Sequence, residues 1–184
     1  MKINRHQEGF TLIELLIVVA IILIIAAIAV PSLLKSKIAA NEASAAGSVH
    51  TIVTAQVTYY STYSTGYATS LTALAGTATT SVTYGQANLL DPTFSAATPA
   101  IKSGYNFYMK AGSPPATVPA TAVNGADDQS FDVSAVPISV GSTGQRSFCN
   151  DQSGVILFDP TGALGSGIAG VSCAADSFSQ PLNE

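Results

Sequence analysis

Residues Phe10 to Val30 form an apolar run of 21 residues, interrupted only by Thr11 and Glu14 and followed at once by Pro31. As a helix such a run spans roughly 31 Å, about the thickness of a bilayer's hydrocarbon core, so the segment predicts a single membrane crossing. Lys2 and Arg5 precede it, on the side that the positive-inside rule makes cytoplasmic. A secretory signal peptide shares the basic start and apolar core, and Ala27-Ile28-Ala29 has the form of its cleavage site. Three features argue the other way. Glu14 puts a carboxylate into the apolar run at a cost of about 2.5 to 3.5 kcal/mol, which a signal peptide has no reason to bear. Pro31 stands two positions past the supposed cut, and Leu33, Leu34, Ile38, Val49, Ile52 and Val57 continue a helical pattern beyond it.

The stretch Gly9-Phe10-Thr11-Leu12-Ile13-Glu14-Leu15-Leu16-Ile17-Val18-Val19-Ala20 resembles the processing site and helix start of class III signal sequences, those of type IV pilins and of the pseudopilins of type II secretion. The resemblance covers residues 1 to about 60. It implies the pilin fold: an α+β chain whose long N-terminal α-helix, half hydrophobic and half amphipathic, packs on a small antiparallel β-sheet. It also implies a cut between Gly9 and Phe10 by a prepilin peptidase that methylates the new Phe10 amine, leaving 175 of the 184 residues. Glu14 would then meet that amine on a neighbouring subunit, neutralising both charges and setting the stagger of a self-assembled helical filament. Elementary electrostatics agrees, since a lone carboxylate in lipid seeks a cation and the cut supplies one. The competing reading is that Glu14 only snorkels to the headgroups. Pro31 removes a helical hydrogen bond and predicts a bend where the helix leaves the bilayer. An inner-membrane assembly platform and its ATPase are partners implied by the family alone.

The remaining chain has the length of one modest domain. Hydrophobic residues make up 47% and charged ones 10%, much of the former being Ala and the membrane run, so the core beyond residue 60 is expected to be small. Loss of the leader, with Lys2, Arg5 and Glu8, takes the formal charge from −4 to −5. Lys35, Lys37, Lys102, Lys110 and Arg146 are scattered and form no basic patch, so direct nucleic-acid binding is not expected. The expected organisation is a leader at 1–9, a hydrophobic transmembrane and filament-core helix at 10–31, an amphipathic helix at 32–61, a connection at 62–103, and a sheet with a disulfide-closed C-terminal region at 104–184.

Leu34, Ile38, Val49, Val53, Val57 and Tyr60 recur at helical spacing and predict the face that meets the sheet, with Lys35, Lys37, Asn41, Glu42 and Gln56 on or near the other. Ala39, Ala43, Ala46 and Gly47 would let neighbouring helices approach closely. Tyr59, Tyr60, Tyr63 and Tyr67 read as rings packing over the helix end, an aromatic relay along a filament being the bolder alternative. In the Ser/Thr/Ala/Gly-rich connection a short helix is expected near Leu71 to Ala75. Alternation marks strands at Tyr105–Lys110 and Phe131–Val136, and Arg146–Cys149 with Gly154–Phe158 reads as a hairpin around Asn150-Asp151-Gln152-Ser153, so four antiparallel strands are expected. Cys149 and Cys173, outside the cytoplasm under this topology, are expected to pair, whereas two cysteines without nearby histidine are too few ligands for zinc.

Catalytic constellations are missing from the pattern. Gly165-Ser166-Gly167-Ile168-Ala169-Gly170 matches a dinucleotide fingerprint but follows no strand and opens no helix. Without the leader His50 is the only histidine, placed mid-helix, so no triad or histidine metal cluster forms around it. Asp127, Asp128 and Asp132 lack the alternating spacing of a calcium loop. No cofactor, no metal and no enzymatic activity are expected. The expected function is a structural subunit of an extracellular type IV pilus, held in the inner membrane as a precursor. A pseudopilin working in the periplasm and a single-pass anchored binding domain that never polymerises are the alternatives.

Overall fold

The computed structural model describes residues 10–64, 66–76, 82–83, 85–95, 99–111, 130–162, 173 and 180–181. The chain divides into two compact units, residues 1–37 and 38–184. Helix α1, Leu12–Tyr63, contributes its first part to one and its second to the other, and helical structure continues through Pro31. In the first unit the large apolar side chains of α1 from Leu12 to Leu34 are all exposed, by between 45% and 80%.

The second unit is an α+β layer. Its sheet has six antiparallel strands in sequential order: β1 Ala100–Lys102, β2 Tyr105–Ala111, β3 Phe131–Pro137, β4 Ser147–Asp151, β5 Leu157–Asp159 and β6 Gln180–Pro181. Four were expected. Two are additional: β1 comes from the stretch read as connection, where three residues between Pro99 and the Ser103-Gly104 turn are too few to show alternation, and β6 is a two-residue strand, too short to show any. The hairpin of β4 and β5 has a longer loop than expected, because pairing starts at Cys149 opposite Leu157 rather than at Gly154.

The core lies between α1 and one face of the sheet. Val49, Ile52 and Tyr59 of α1 are buried with Phe107, Phe131, Val133, Ala135 and Phe148 of the strands. Period-two alternation carries these five strand residues to one face. Helix α2, Leu71–Ala75, adds Leu71 and Leu74 to the same core; Ser70 Oγ caps its start through the N–H of Ala73 (3.1 Å), and Gly76 ends it at φ 67°. Rings run from the helix end to the sheet: Tyr60 stacks near Tyr67 at 5.0 Å between centroids and Tyr67 meets Phe131 at 4.8 Å. A smaller cluster of Val136, Cys149 and Cys173 closes the other face, with Tyr108 and Leu157 against it. Cys149 and Cys173 are disulfide-bonded, their Cα atoms 5.8 Å apart, and the Cys173 N–H donates to Asp132 Oδ1 at 3.0 Å.

The packing face of α1 differs from the expected one. Val57 and Tyr60 are exposed, whereas Glu42, Ala45, Val49, Ile52, Gln56 and Tyr59 are buried, a three-four repeat. Glu42 and Gln56, read as solvent-facing, each find partners far along the chain. Glu42 Oε1 accepts the backbone N–H of Gln145 (2.8 Å) and of Arg146 (3.1 Å), and Oε2 accepts from Arg146 Nε (2.9 Å) and Nη2 (2.7 Å). Gln56 pairs with both backbone groups of Ala68, Oε1 accepting its N–H at 2.8 Å and Nε2 donating to its carbonyl at 2.9 Å. Satisfied on all sides, a polar group can be buried without the usual penalty.

Around Glu42 the helix is tied to two loops. Asn41 Nδ2 donates to the Thr143 carbonyl at 2.8 Å, and the hydroxyls of Ser44 and Ser103 share a 2.9 Å hydrogen bond. Tyr105 Oη donates to the Arg146 carbonyl at 2.8 Å, and its ring lies where a Cβ on Gly144 would have to go. Burial, reinforced by the Glu42 charge, pushes the Tyr105 phenol well above its ordinary pKa, so it stays a donor. Desolvation works to raise the Glu42 carboxyl, but the Gln145 and Arg146 hydrogen bonds and the Arg146 charge together hold it below the usual carboxylate range.

Candidate functional site

The residues singled out by sequence at the N-terminus meet in the first turn of α1. Thr11 is the residue before the helix, and Glu14 is its third residue. Thr11 Oγ1 accepts the Glu14 N–H at 3.3 Å, while Glu14 Oε2 accepts the Thr11 N–H at 3.0 Å and the Thr11 hydroxyl at 2.7 Å. This is a reciprocal capping box, in which two helix-start donors that have no partner in the helix satisfy one another's side chains. The carboxylate read from sequence as unpartnered therefore has a partner within its own turn. The Thr-x-x-Glu spacing is a helix-start signature visible in the sequence, but its position in a membrane run directs attention to charge alone.

Phe10 precedes the cap and is 83% exposed. Gly9 lies outside the described residues. Pro31 is farther along the same helix and also exposed, so Phe10, Thr11 and Glu14 are brought together and Pro31 is not. Among the described residues α1 is the helix long and apolar enough to cross a membrane. Its first part carries no buried residue, and Ser36 spends its hydroxyl on the Ser32 carbonyl at 3.1 Å. Such a surface can be covered by lipid or by other helices of the same kind. Lipid tails are as apolar as leucine, so exchanging one cover for the other gains little from hydrophobicity, and close packing and charge pairing decide between them.

Elsewhere the described residues hold no group of three or more His, Cys, Asp or Glu side chains arranged for a metal ion. His50 is exposed on α1. Asp132 accepts the Cys173 N–H, while Asp127, Asp128 and the glycine loop 165–170 lie outside the described residues.

A family model, the prokaryotic N-terminal methylation motif, matches residues 4–30. The chain is 43% identical over 60 residues to the type IV major pilin protein PilA of Myxococcus xanthus, covering 33% of this chain and 27% of that protein. It is 58% identical over 38 residues to the type IV wide pilus major component PilA4 of Thermus thermophilus, covering 21% of this chain and 29% of that one. The matched segments thus span less than a third of these relatives' own lengths. No solved structure matches the chain.

Proposed function

We propose, from the similarity of its N-terminal segment to those of type IV pilins, that the chain is a structural subunit of an extracellular type IV pilus. In this reading prepilin peptidase cuts between Gly9 and Phe10 and methylates the Phe10 amine. The processed chain waits in the inner membrane, and an ATPase-driven platform moves it into a helical polymer of its own copies. The observation that carries the reading is the exposed apolar surface of α1 from Leu12 to Leu34, broken by one carboxylate. Outside the membrane that surface needs a cover, and copies of the same helix supply one. The Phe10 amine of a neighbour neutralises Glu14 and thereby fixes the axial register, because an ion pair withdrawn from water tolerates little displacement.

Mass spectrometry of sheared extracellular filaments tests this. A methylated Phe10 at the start of the chain in that material is the expected result. Methylated chain confined to the periplasm favours the pseudopilin, and an intact Met1 in the envelope favours an anchored domain that never polymerises. The capping geometry sharpens the test, since glutamine fills the third position of a capping box as well as glutamate does. Glu14→Gln keeps the helix start and removes the charge. The expected outcome is a chain inserted and methylated as before but missing from the sheared fraction; normal assembly of that variant removes charge pairing from the proposal.

A further inference from the structure

We propose that Lys35 and Lys37 bind anionic phospholipid headgroups of the leaflet through which α1 leaves the membrane. The inference rests on the reading of α1 as a membrane span and adds the partner that meets it at its exit. The apolar run ends at Val30, and helical structure continues through Pro31 to both lysines. At 1.5 Å per residue, the two positions stand roughly 7.5 and 10.5 Å past that end along the helix axis. The polar layer outside the hydrocarbon core is about 5 to 7.5 Å thick on each side. Side chains on a helix lean toward its N-terminus, which here is toward the bilayer. Each ammonium therefore falls back to the depth of the phosphates, with its methylene stem on the apolar side.

Both lysines are exposed, and among the described residues neither joins an ion pair; Glu42, the next acid along the helix, is held by Arg146. Lys35 and Lys37 are the only charged residues between Glu14 and Glu42, and no acid stands three or four positions from either, so the helix itself offers them no partner. Residues 38–184, by contrast, set nine Asp and Glu against Lys102, Lys110 and Arg146, a formal charge of −6. An anionic membrane surface repels such a unit, and the lysine pair supplies the attraction that offsets it where the chain emerges. Their spacing favours lipid over a protein partner. Two positions along a helix are about 200° apart, so the lysines stand on nearly opposite sides of α1. Headgroups surround a membrane helix and reach both, whereas an acidic face on one partner protein meets only one.

Native mass spectrometry of the full chain in nonionic detergent, titrated with phosphatidylglycerol or with phosphatidylcholine, tests the pair. Lys2→Gln and Arg5→Gln are present in every sample, so that the cations at the other end of the span take no part. With Lys35 and Lys37 in place, phosphatidylglycerol is expected to bind at least about tenfold more tightly than phosphatidylcholine. Either lysine changed to glutamine is expected to weaken phosphatidylglycerol about fivefold, and both together about twenty-five-fold. Lys35→Arg with Lys37→Arg is expected to preserve binding. Lys102→Gln with Lys110→Gln, which removes the same charge from the second unit, is expected to leave it unchanged. Equal phosphatidylglycerol binding with and without Lys35 and Lys37 overturns the proposal, and so does an equal loss in the Lys102 and Lys110 variant, which would make net charge the cause. Unchanged lipid binding by Lys35→Gln with Lys37→Gln, joined to its loss from sheared filaments, would assign the lysines to acidic groups of neighbouring copies and also overturns it. A chain that retains neither lipid and stays in solution without detergent overturns instead the reading of α1 as a membrane span.

Discussion

The two parts of α1 invite comparison because one continuous helix serves opposite ends. Residues 12–34 present leucine, isoleucine and valine on every side and bury none of them, whereas residues 38–63 contain fewer large apolar side chains and bury a narrow stripe. The more hydrophobic part thus carries no buried residue. Burial follows partners rather than hydropathy. Polar Glu42 and Gln56 go inside because loops 143–146 and 66–68 bring them hydrogen bonds, whereas apolar Ile17 and Leu23 stay exposed.

The comparison breaks most visibly if core deletions in the two parts cost the same. Phe148→Ala, removing a buried ring that packs between α1 and the sheet, is expected to destabilise the second unit by about 3 to 5 kcal/mol. Ile22→Ala in the exposed part is expected to leave the same denaturant midpoint unchanged in detergent-solubilised processed chain, and a matching loss there would mean that residue 22 contributes to the folded core after all. Next in size is the Cys149–Cys173 bond. It closes a segment with a sequence separation of 24, so its reduction is expected to lower stability by about 3 kcal/mol, read as a lower melting temperature under reductant. A chain melting identically with and without reductant would show that the bond adds nothing to stability.

Glu42→Ala should cost about 2 kcal/mol, since it strips hydrogen bonds from the Gln145 and Arg146 N–H groups and from a guanidinium that is itself partly exposed. The smallest expected effect is on pH. The Glu42 carboxyl titrates lower in the folded chain than its ordinary 4.5. Its contribution is therefore fully present above that value and is lost as the pH falls through the lower, folded one. Stability plotted against pH should decline on this acid limb and the decline should be shallower in Glu42→Gln; superimposable limbs would show that other carboxylates govern acid unfolding.

Legibility in the sequence follows the range of the interactions involved. Strands β2 and β3 are readable because Tyr105, Phe107 and Phe131, Val133 alternate within their own segments. Strand β1 is not, because Ala100-Ile101-Lys102 becomes a strand only by pairing with Tyr105–Phe107. The phase of the amphipathic stripe is misplaced for a related reason: hydropathy counts Glu42 and Gln56 as outward residues, and nothing within a few residues of either reveals Arg146 or Ala68. The Thr11–Glu14 cap is the opposite case, a purely local pattern that is legible in the sequence yet masked by the membrane run around it.

The sequence by itself determined the membrane-length apolar helix, the motif at Gly9-Phe10 with Glu14 behind it, and the α+β class, because each follows from patterns that repeat or complete themselves within a short window. Tertiary structure alone decided which face of α1 is buried and how many strands the sheet holds, whereas the expected Cys149–Cys173 bond is present. Those outcomes depend on groups up to about a hundred residues apart, and a polar side chain's place, inside or out, is settled only when its hydrogen-bond partners arrive.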